Sequence, residues 1–196
     1  RAHRRRGRVV ARCRAAVAGD GRRLRPAQPE SAFPRPPARG PGTKLLGICH
    51  WQNAPTTAST VLLVHGLEGC ADSHYMRGMA AKAFRAGFNV IRMNQRTCGG
   101  TDHLTKTLYN SGLSNDYRAI TQELRERNGL THIWLVGYSM GGNLVLKAAG
   151  ELQGSEPALA GVVAVSPNID PTQCVAALEE PRNWLYHAHF LSRLKA

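Results

Sequence analysis

One stretch constrains this chain more than any other: Trp134-Leu135-Val136-Gly137-Tyr138-Ser139-Met140-Gly141-Gly142-Asn143. An apolar run of strand type enters a turn with glycine at alternate positions, and the turn opens directly into a segment of helical period. A chain that reverses this sharply brings its backbone against its neighbours, so a Cβ at Gly137 or Gly141 would collide there. The G-x-S-x-G pattern in this context sets its central serine, Ser139, at the tip of the turn with Oγ exposed. Ser139 is therefore the first candidate for a chemical role.

The surrounding pattern supplies the context that the motif needs. Residues 45–51 read as an edge or early strand. Thr60–Val64 is a continuous apolar run bounded by turn signals, as expected of a strand covered on both faces. Residues 73–86 suit a helix, with Ser73 as N-cap and Tyr75, Met79, Ala83 and Phe84 on its inner side. A strand follows over Asn89–Met93. A second helix is expected over 114–127, with Tyr117, Ile120 and Leu124 on one face and Asn128-Gly129 as its stop. A strand over 133–136, a helix over Met140–Leu152 and a strand over 160–165 complete the series. Strands alternating with helices imply crossover connections and a mostly parallel sheet. Chemistry in such sheets collects beyond the carboxyl ends of the strands. Three loops should meet there: 65–69, 94–100 and the turn at Ser139.

Charge points the same way once it is located. The formal net charge of +13 over 196 residues suggests nucleic acid, but residues 1–42 hold 12 arginines against Asp20 and Glu30. That leaves the remainder close to neutral, at +3, so no nucleic-acid partner is expected for the core. The Arg/Pro-rich segment 1–42 cannot bury a core and reads as a disordered basic tail. It stays open whether that segment is only solvated or a cloning-frame product, binds RNA or anionic lipid, or serves as a transit peptide. The first residue is Arg1 and the first methionine is Met76, so the sequence is expected to be a piece of a longer protein. Cys13, Cys49, Cys70, Cys98 and Cys174 are scattered without metal-ligand spacing. A reducing, cytoplasmic setting without a disulfide framework, a metal or a cofactor is the expectation. No apolar run approaches the roughly 20 residues that span a bilayer.

A serine hydroxyl is a weak nucleophile unless a base takes its proton as it attacks. The turn contributes geometry, because the Met140 N–H at the head of the following helix points to where an oxyanion would form. A second donor is expected from the loop after the first central strand, at the Leu67 N–H. Losing one such donor typically costs about 3 kcal/mol of barrier.

The motifs His65-Gly66-Leu67-Glu68-Gly69, Asn94-Gln95-Arg96-Thr97-Cys98-Gly99-Gly100 and Gly137-Tyr138-Ser139-Met140-Gly141-Gly142-Asn143 together resemble those of α/β-hydrolases. More narrowly they resemble the YheT-like hydrolases, regarded as carboxylesterases. The stretch from Tyr186 to Lys195 is similar to the start of that family's cap. The resemblance implies an α/β-hydrolase core over residues 43–170, a cap or lid beginning at 171–196, and a small acyl ester as substrate. It also implies a triad in the order Ser, Asp, His, with the acid and base on later strands, expected beyond Ala196.

Asp170 with His187 or His189 meets that order formally. However, Asp170 precedes Pro171 and reads as a helix cap, and both histidines lie on cap-like sequence. His65 is read as ordering its turn rather than as a base. His74, His103 and His132 read as surface or loop residues, and Asp102 and Glu68 lie near the site without an assigned role. An acyltransferase or thioesterase would share this machinery. An inactive truncated chain, or a nucleic-acid binder acting through the tail, are the readings of other classes.

Overall fold

The computed structural model describes the backbone of residues 10–16 and 43–194, with side chains over residues 43–192. Six strands form one sheet: β1 (Val10–Ala16), β2 (Lys44–His50), β3 (Thr60–Val64), β4 (Asn89–Met93), β5 (Ile133–Tyr138) and β6 (Leu159–Val165). Their order across the sheet is β1-β2-β4-β3-β5-β6. Only β2 and β4 pair antiparallel; every other neighbour is parallel. Among the described residues five α-helices accompany them: α1 (His74–Arg85), α2 (Ser114–Asn128), α3 (Met140–Leu152), α4 (Pro171–Glu179) and α5 (Trp184–Leu194).

The period-2 alternation of each strand sorts its side chains onto two cores. On one face Leu62, Val64, Ile91, Leu135 and Ile133 pack under α2 and α3 through Tyr117, Ile120, Leu124, Leu144, Val145 and Ala148. On the other, Val61, Leu63 and Val90 meet Met76 and Ala80 of α1, with Trp134, Val136 and Tyr138 partly covered. The continuous apolar runs of β3 and β4 are buried at every position, as a strand sandwiched between helix layers must be. From β3 the chain crosses through α1 to β4, then through α2 to β5 on the opposite side of β3. That reversal opens a crevice at the carboxyl ends of β3 and β5, where open α/β sheets bind their ligands.

Several local expectations are corrected. The buried stripe of α1 runs through Met76 and Ala80, while Met79 is exposed. Ser73 does precede α1, yet its hydroxyl caps nothing in the helix; it accepts a hydrogen bond from the Cys70 N–H instead (3.0 Å). Within the segment expected to lack structure, Val10–Ala16 is an edge strand in parallel register with β2, from Val10 opposite Lys44 to Ala16 opposite His50. Backbone pairing along an open edge needs no apolar alternation, which is why composition did not reveal it. The rest of residues 1–42 lies outside the described residues. Cys49 is disulfide-bonded, against the expectation of reduced cysteines, whereas Cys70, Cys98 and Cys174 are free.

Asp170 caps α4 as expected, its carboxylate accepting from the Gln173 N–H at 3.1 Å. Beyond β6 the apolar side chains Ile169, Val175, Trp184, Leu185 and Tyr186 stand exposed on and around α4 and α5. Among the described residues no helix is long and apolar enough to cross a membrane.

Leu62 is fully buried in the larger core and Leu108 is 73% exposed. Leu62→Ala should therefore cost about 2–5 kcal/mol and Leu108→Ala no more than about 0.5 kcal/mol. Urea unfolding read by circular dichroism measures both.

Candidate active site

The turn between β5 and α3 is held by close backbone contact. A Cβ on Gly137 would sit 2.2 Å from the Gly141 carbonyl oxygen, and one on Gly141 would sit 2.5 Å from the His65 oxygen and 2.6 Å from the Val64 oxygen. Neither could be accommodated without moving backbone, so both glycines are needed for α3 to start against β3. Ser139 occupies the corner with φ +51° and ψ −119°. A side-chain-bearing residue pays of order 1–3 kcal/mol for such a conformation and keeps it only where its surroundings enforce it. They do so here: the Ser139 N–H donates to the Val165 oxygen at 2.9 Å, and the Ser139 oxygen accepts from the Asn143 N–H at 3.1 Å. Ser139 is exposed, and a Cβ on Gly66 would lie 3.1 Å from its Cβ and 3.7 Å from its Oγ. The loop after β3 thus rests directly on the serine.

That loop is fastened by His65, which is completely buried. Its Nε2 accepts from the Gln95 N–H (3.0 Å), so its proton lies on Nδ1, which donates to the Gly66 oxygen (2.7 Å). The Gln95 side-chain amide in turn donates to the His65 oxygen (2.6 Å). Burial lowers the His65 pKa to about 4, against the raising effect of the Gly66 hydrogen bond. The ring is neutral at pH 7 and ties the loop after β4 to the loop after β3. The expectation that His65 orders the turn matches this geometry.

Within the loop the Gly69 N–H closes a turn onto the Gly66 oxygen (3.1 Å), and Glu68 has a φ of +56°. The Gly66 N–H donates to Tyr75 Oη and the Glu68 N–H to Tyr109 Oη, both at 3.1 Å. Among the described residues no hydrogen bond engages the Leu67 N–H. Met140 is the first residue of α3, where N–H groups have no partner inside the helix. A cavity of about 350 Å³ opens at this point, walled by Gly66, Leu67, Tyr75, Tyr138, Val165 and Phe190, with Ser139 and Ser166 on its border.

The structure brings Ser139, Leu67, Met140, Gly137 and Gly141 together, and it does not bring the formal triad candidates to them. No described side chain hydrogen-bonds the Ser139 hydroxyl. Asp170 is committed to Gln173, whose N–H groups hold its carboxyl below the usual range. His187 and His189 lie on α5, and His189 stacks edge-on against Phe190. His132 pairs with Ser59 at the opposite end of the sheet, and His74 packs on Tyr75. Among the described residues no cluster of three or more His, Cys, Asp or Glu could hold a metal ion. Sequence reasoning missed Tyr75, Tyr109 and Phe190 as parts of the site. The first is nine residues from its partner and the second 41, and a hydroxyl bonded to a distant backbone N–H leaves no local pattern.

Two consequences can be measured. A methyl at residue 141 must displace the β3 carbonyls, so Gly141→Ala should destabilise by roughly 1–3 kcal/mol, as overpacking does, read as a lower thermal midpoint. Burial gives His65 a lower pKa in the folded chain (about 4) than the 6.5 of an ordinary histidine. The unfolded chain therefore binds the extra proton more readily between these values. Stability is complete above pH 6.5 and falls as pH drops toward 4. The same sign holds for His50, lowered to about 4 by burial and then by Arg92. Midpoints measured across that interval should decline, and less steeply in His65→Gln.

The family model described as "alpha/beta hydrolase fold" matches residues 59–190. YheT of Escherichia coli strain K12, a protein named as an esterase, is 28% identical over 149 residues, covering 74% of this chain and 44% of YheT. Phospholipase ABHD3 of Mus musculus is 28% identical over 137 residues, covering 70% of this chain and 33% of that protein. The chain thus spans less than half the length of these curated relatives. Among solved structures, Est1E from Butyrivibrio proteoclasticus with ferulic acid bound aligns with a TM-score of 0.55 at 18% identity, over 64% of this chain and 50% of that one. The Pyrococcus furiosus esterase Pf2001 aligns with a TM-score of 0.55 at 24% identity, over 67% and 52%. At these identities the structures share the fold. With the family match covering well over half of the sequence, the chain belongs to the α/β hydrolase fold family.

Proposed function

We propose that this chain carries the nucleophile and the oxyanion donors of a carboxylic ester hydrolase that works through a Ser139 acyl-enzyme. The observation that supports it most is Ser139 itself: an exposed hydroxyl on a strained corner at the head of α3, with Gly66 packed against it. Its Oγ attacks the acyl carbon while a base removes the hydroxyl proton. The carbonyl oxygen gains negative charge and receives the Leu67 and Met140 N–H groups. The alcohol leaves with a proton, and water then releases the acid from the serine ester. Leu67, Tyr75, Tyr138, Val165 and Phe190 give the cavity apolar walls, which favours an apolar acyl group over a charged one. The names of the relatives, esterase and phospholipase, agree with an ester substrate.

In this reading α4 and α5 begin the lid, and Phe190 is its contribution to the cavity wall. Asp170, His187 and His189 are left out of the mechanism; the acid and base come from outside the described residues. The cytoplasmic setting is part of the same proposal, which the three free thiols support and the Cys49 disulfide opposes. Thioesterase or acyltransferase chemistry would use the same groups with another acceptor. One observation favours a second reading, a chain that is silent by itself: among the described residues no base is hydrogen-bonded to the Ser139 hydroxyl.

A fluorophosphonate probe and a short-chain p-nitrophenyl ester separate these readings. Ester hydrolysis should fall by at least about 10³-fold in Ser139→Ala, and labelling should vanish. Labelling of Ser139 without turnover would select the silent chain. Equal hydrolysis by both proteins would remove Ser139 from the mechanism.

A further inference from the structure

Three consecutive peptide units make up the loop that faces Ser139, and each is fastened by a different group. The His65–Gly66 unit is held through its N–H, which donates to Tyr75 Oη (3.1 Å). The Gly66–Leu67 unit is held through its oxygen, which accepts from His65 Nδ1 (2.7 Å) and the Gly69 N–H (3.1 Å). The Leu67–Glu68 unit is held through its N–H, which donates to Tyr109 Oη (3.1 Å). A single N–H in the series, that of Leu67, is claimed by no described group. In a trans peptide the carbonyl and N–H point in opposite directions. Pinning the Gly66 oxygen inward therefore turns the Leu67 N–H outward.

The unit held by Tyr109 is the one most in need of a restraint. Glu68 has a φ of +56°, the conformation that a turn requires at its third position when the central peptide is flipped. A residue with a Cβ disfavours it, so the peptide has reason to turn back over and reshape the loop. The hydrogen bond to Tyr109 opposes that rotation. Tyr109 itself is anchored through its segment. Arg96 Nη1 donates to Thr107 Oγ1 (2.6 Å), and the same guanidinium grips both carboxylate oxygens of Asp116 in α2 (2.7 and 2.6 Å). Asp116 is buried, so this grip is sheltered from solvent and salt. Tyr75 spans both halves of the site. Its hydroxyl holds the loop, and its ring meets that of Tyr138, the residue before Ser139, with centroids 5.0 Å apart.

We propose that Tyr75 and Tyr109 are positioning residues that hold the loop after β3 in the one shape that presents the Leu67 N–H to the developing oxyanion. This rests on the reading of Ser139 as nucleophile and Leu67 as donor. Both hydroxyls act as acceptors toward the backbone and touch no reacting atom.

Tyr75→Phe and Tyr109→Phe each remove one acceptor and keep the ring. The probe is a fluorophosphonate, whose adduct on Ser139 is tetrahedral and needs the same oxyanion donors. The rate of labelling should fall roughly tenfold in each variant, in line with the loss of one hydrogen bond. Amide hydrogen exchange by NMR reads the same bonds whether or not the chain turns over an ester. Exchange should accelerate at Glu68 in Tyr109→Phe and at Gly66 in Tyr75→Phe, with the amides of β3 and β5 unchanged. Wild-type labelling rates, or unaltered exchange at these two amides, would overturn the proposal. Acceleration spread across β3 and β5 would also overturn it, by giving the hydroxyls a general structural role. Ser139→Ala keeps the two readings apart. Persistent labelling of that variant defeats the nucleophile assignment, whereas its loss together with unslowed tyrosine variants defeats only the positioning role.

Discussion

The site depends on backbone meeting backbone without side chains between. Gly137 lies against the start of α3, Gly141 lies against the end of β3, and Gly66 lies against Ser139. The contacts at Gly137 and Gly141 are closer than a Cβ permits, the one at Gly66 would leave a Cβ only 3.1 Å from that of Ser139, and together they set where the helix begins relative to two strands. Once α3 starts there, Ser139 has no choice but the left-handed corner, and the first N–H groups of the helix face the same space as its hydroxyl. The crevice itself follows from topology, since the chain steps from β3 to β4 on one side and then crosses back from β4 to β5 on the other side of β3. Sterics at three α-carbons and the order of the strands therefore locate the chemistry before any polar group is considered.

The polar groups then make that arrangement rigid. His65 and Gln95 form a closed, dry exchange between the loops after β3 and β4, and its neutrality follows from burial: charging the ring would leave a cation without solvent or a carboxylate partner. Arg96 and Asp116 do the corresponding task at the outer edge, where a bidentate pair fixes orientation as well as distance. Neither pair belongs to the proposed reaction. Both restrict the loops that carry it, which is what preorganisation of an oxyanion site demands.

Much of this was legible in the residues. The boundaries of β3, β4 and α3 follow from apolar runs and from the serine turn, because burial on both faces and a glycine-bounded reversal each leave a local signature. The grouping of Ser139, Leu67 and Met140 was readable for the same reason. Other features were not. Met79 was placed on the inner face of α1 by a spacing that Met76 and Ala80 satisfy equally well, and a helix of this length does not choose between adjacent stripes until it meets the sheet. The β1 pairing depends on backbone hydrogen bonds alone, and Arg-rich composition conceals it. Tyr75 and Tyr109 carry no motif, since their partners are main-chain N–H groups brought near by α1 and by the segment before α2.

Local chemistry, then, was enough for the family and for the identity of the exposed serine, because glycine placement and apolar periodicity act over a few residues and survive in any listing of them. Folding had to settle the rest. The choice of helix face, the neutral state of His65, the anchoring of the loop by two tyrosines and a Leu67 N–H left without a partner among the described residues all arise from segments that are distant in the chain. Their energies exist only when the sheet brings those segments within hydrogen-bond range and removes the water between them.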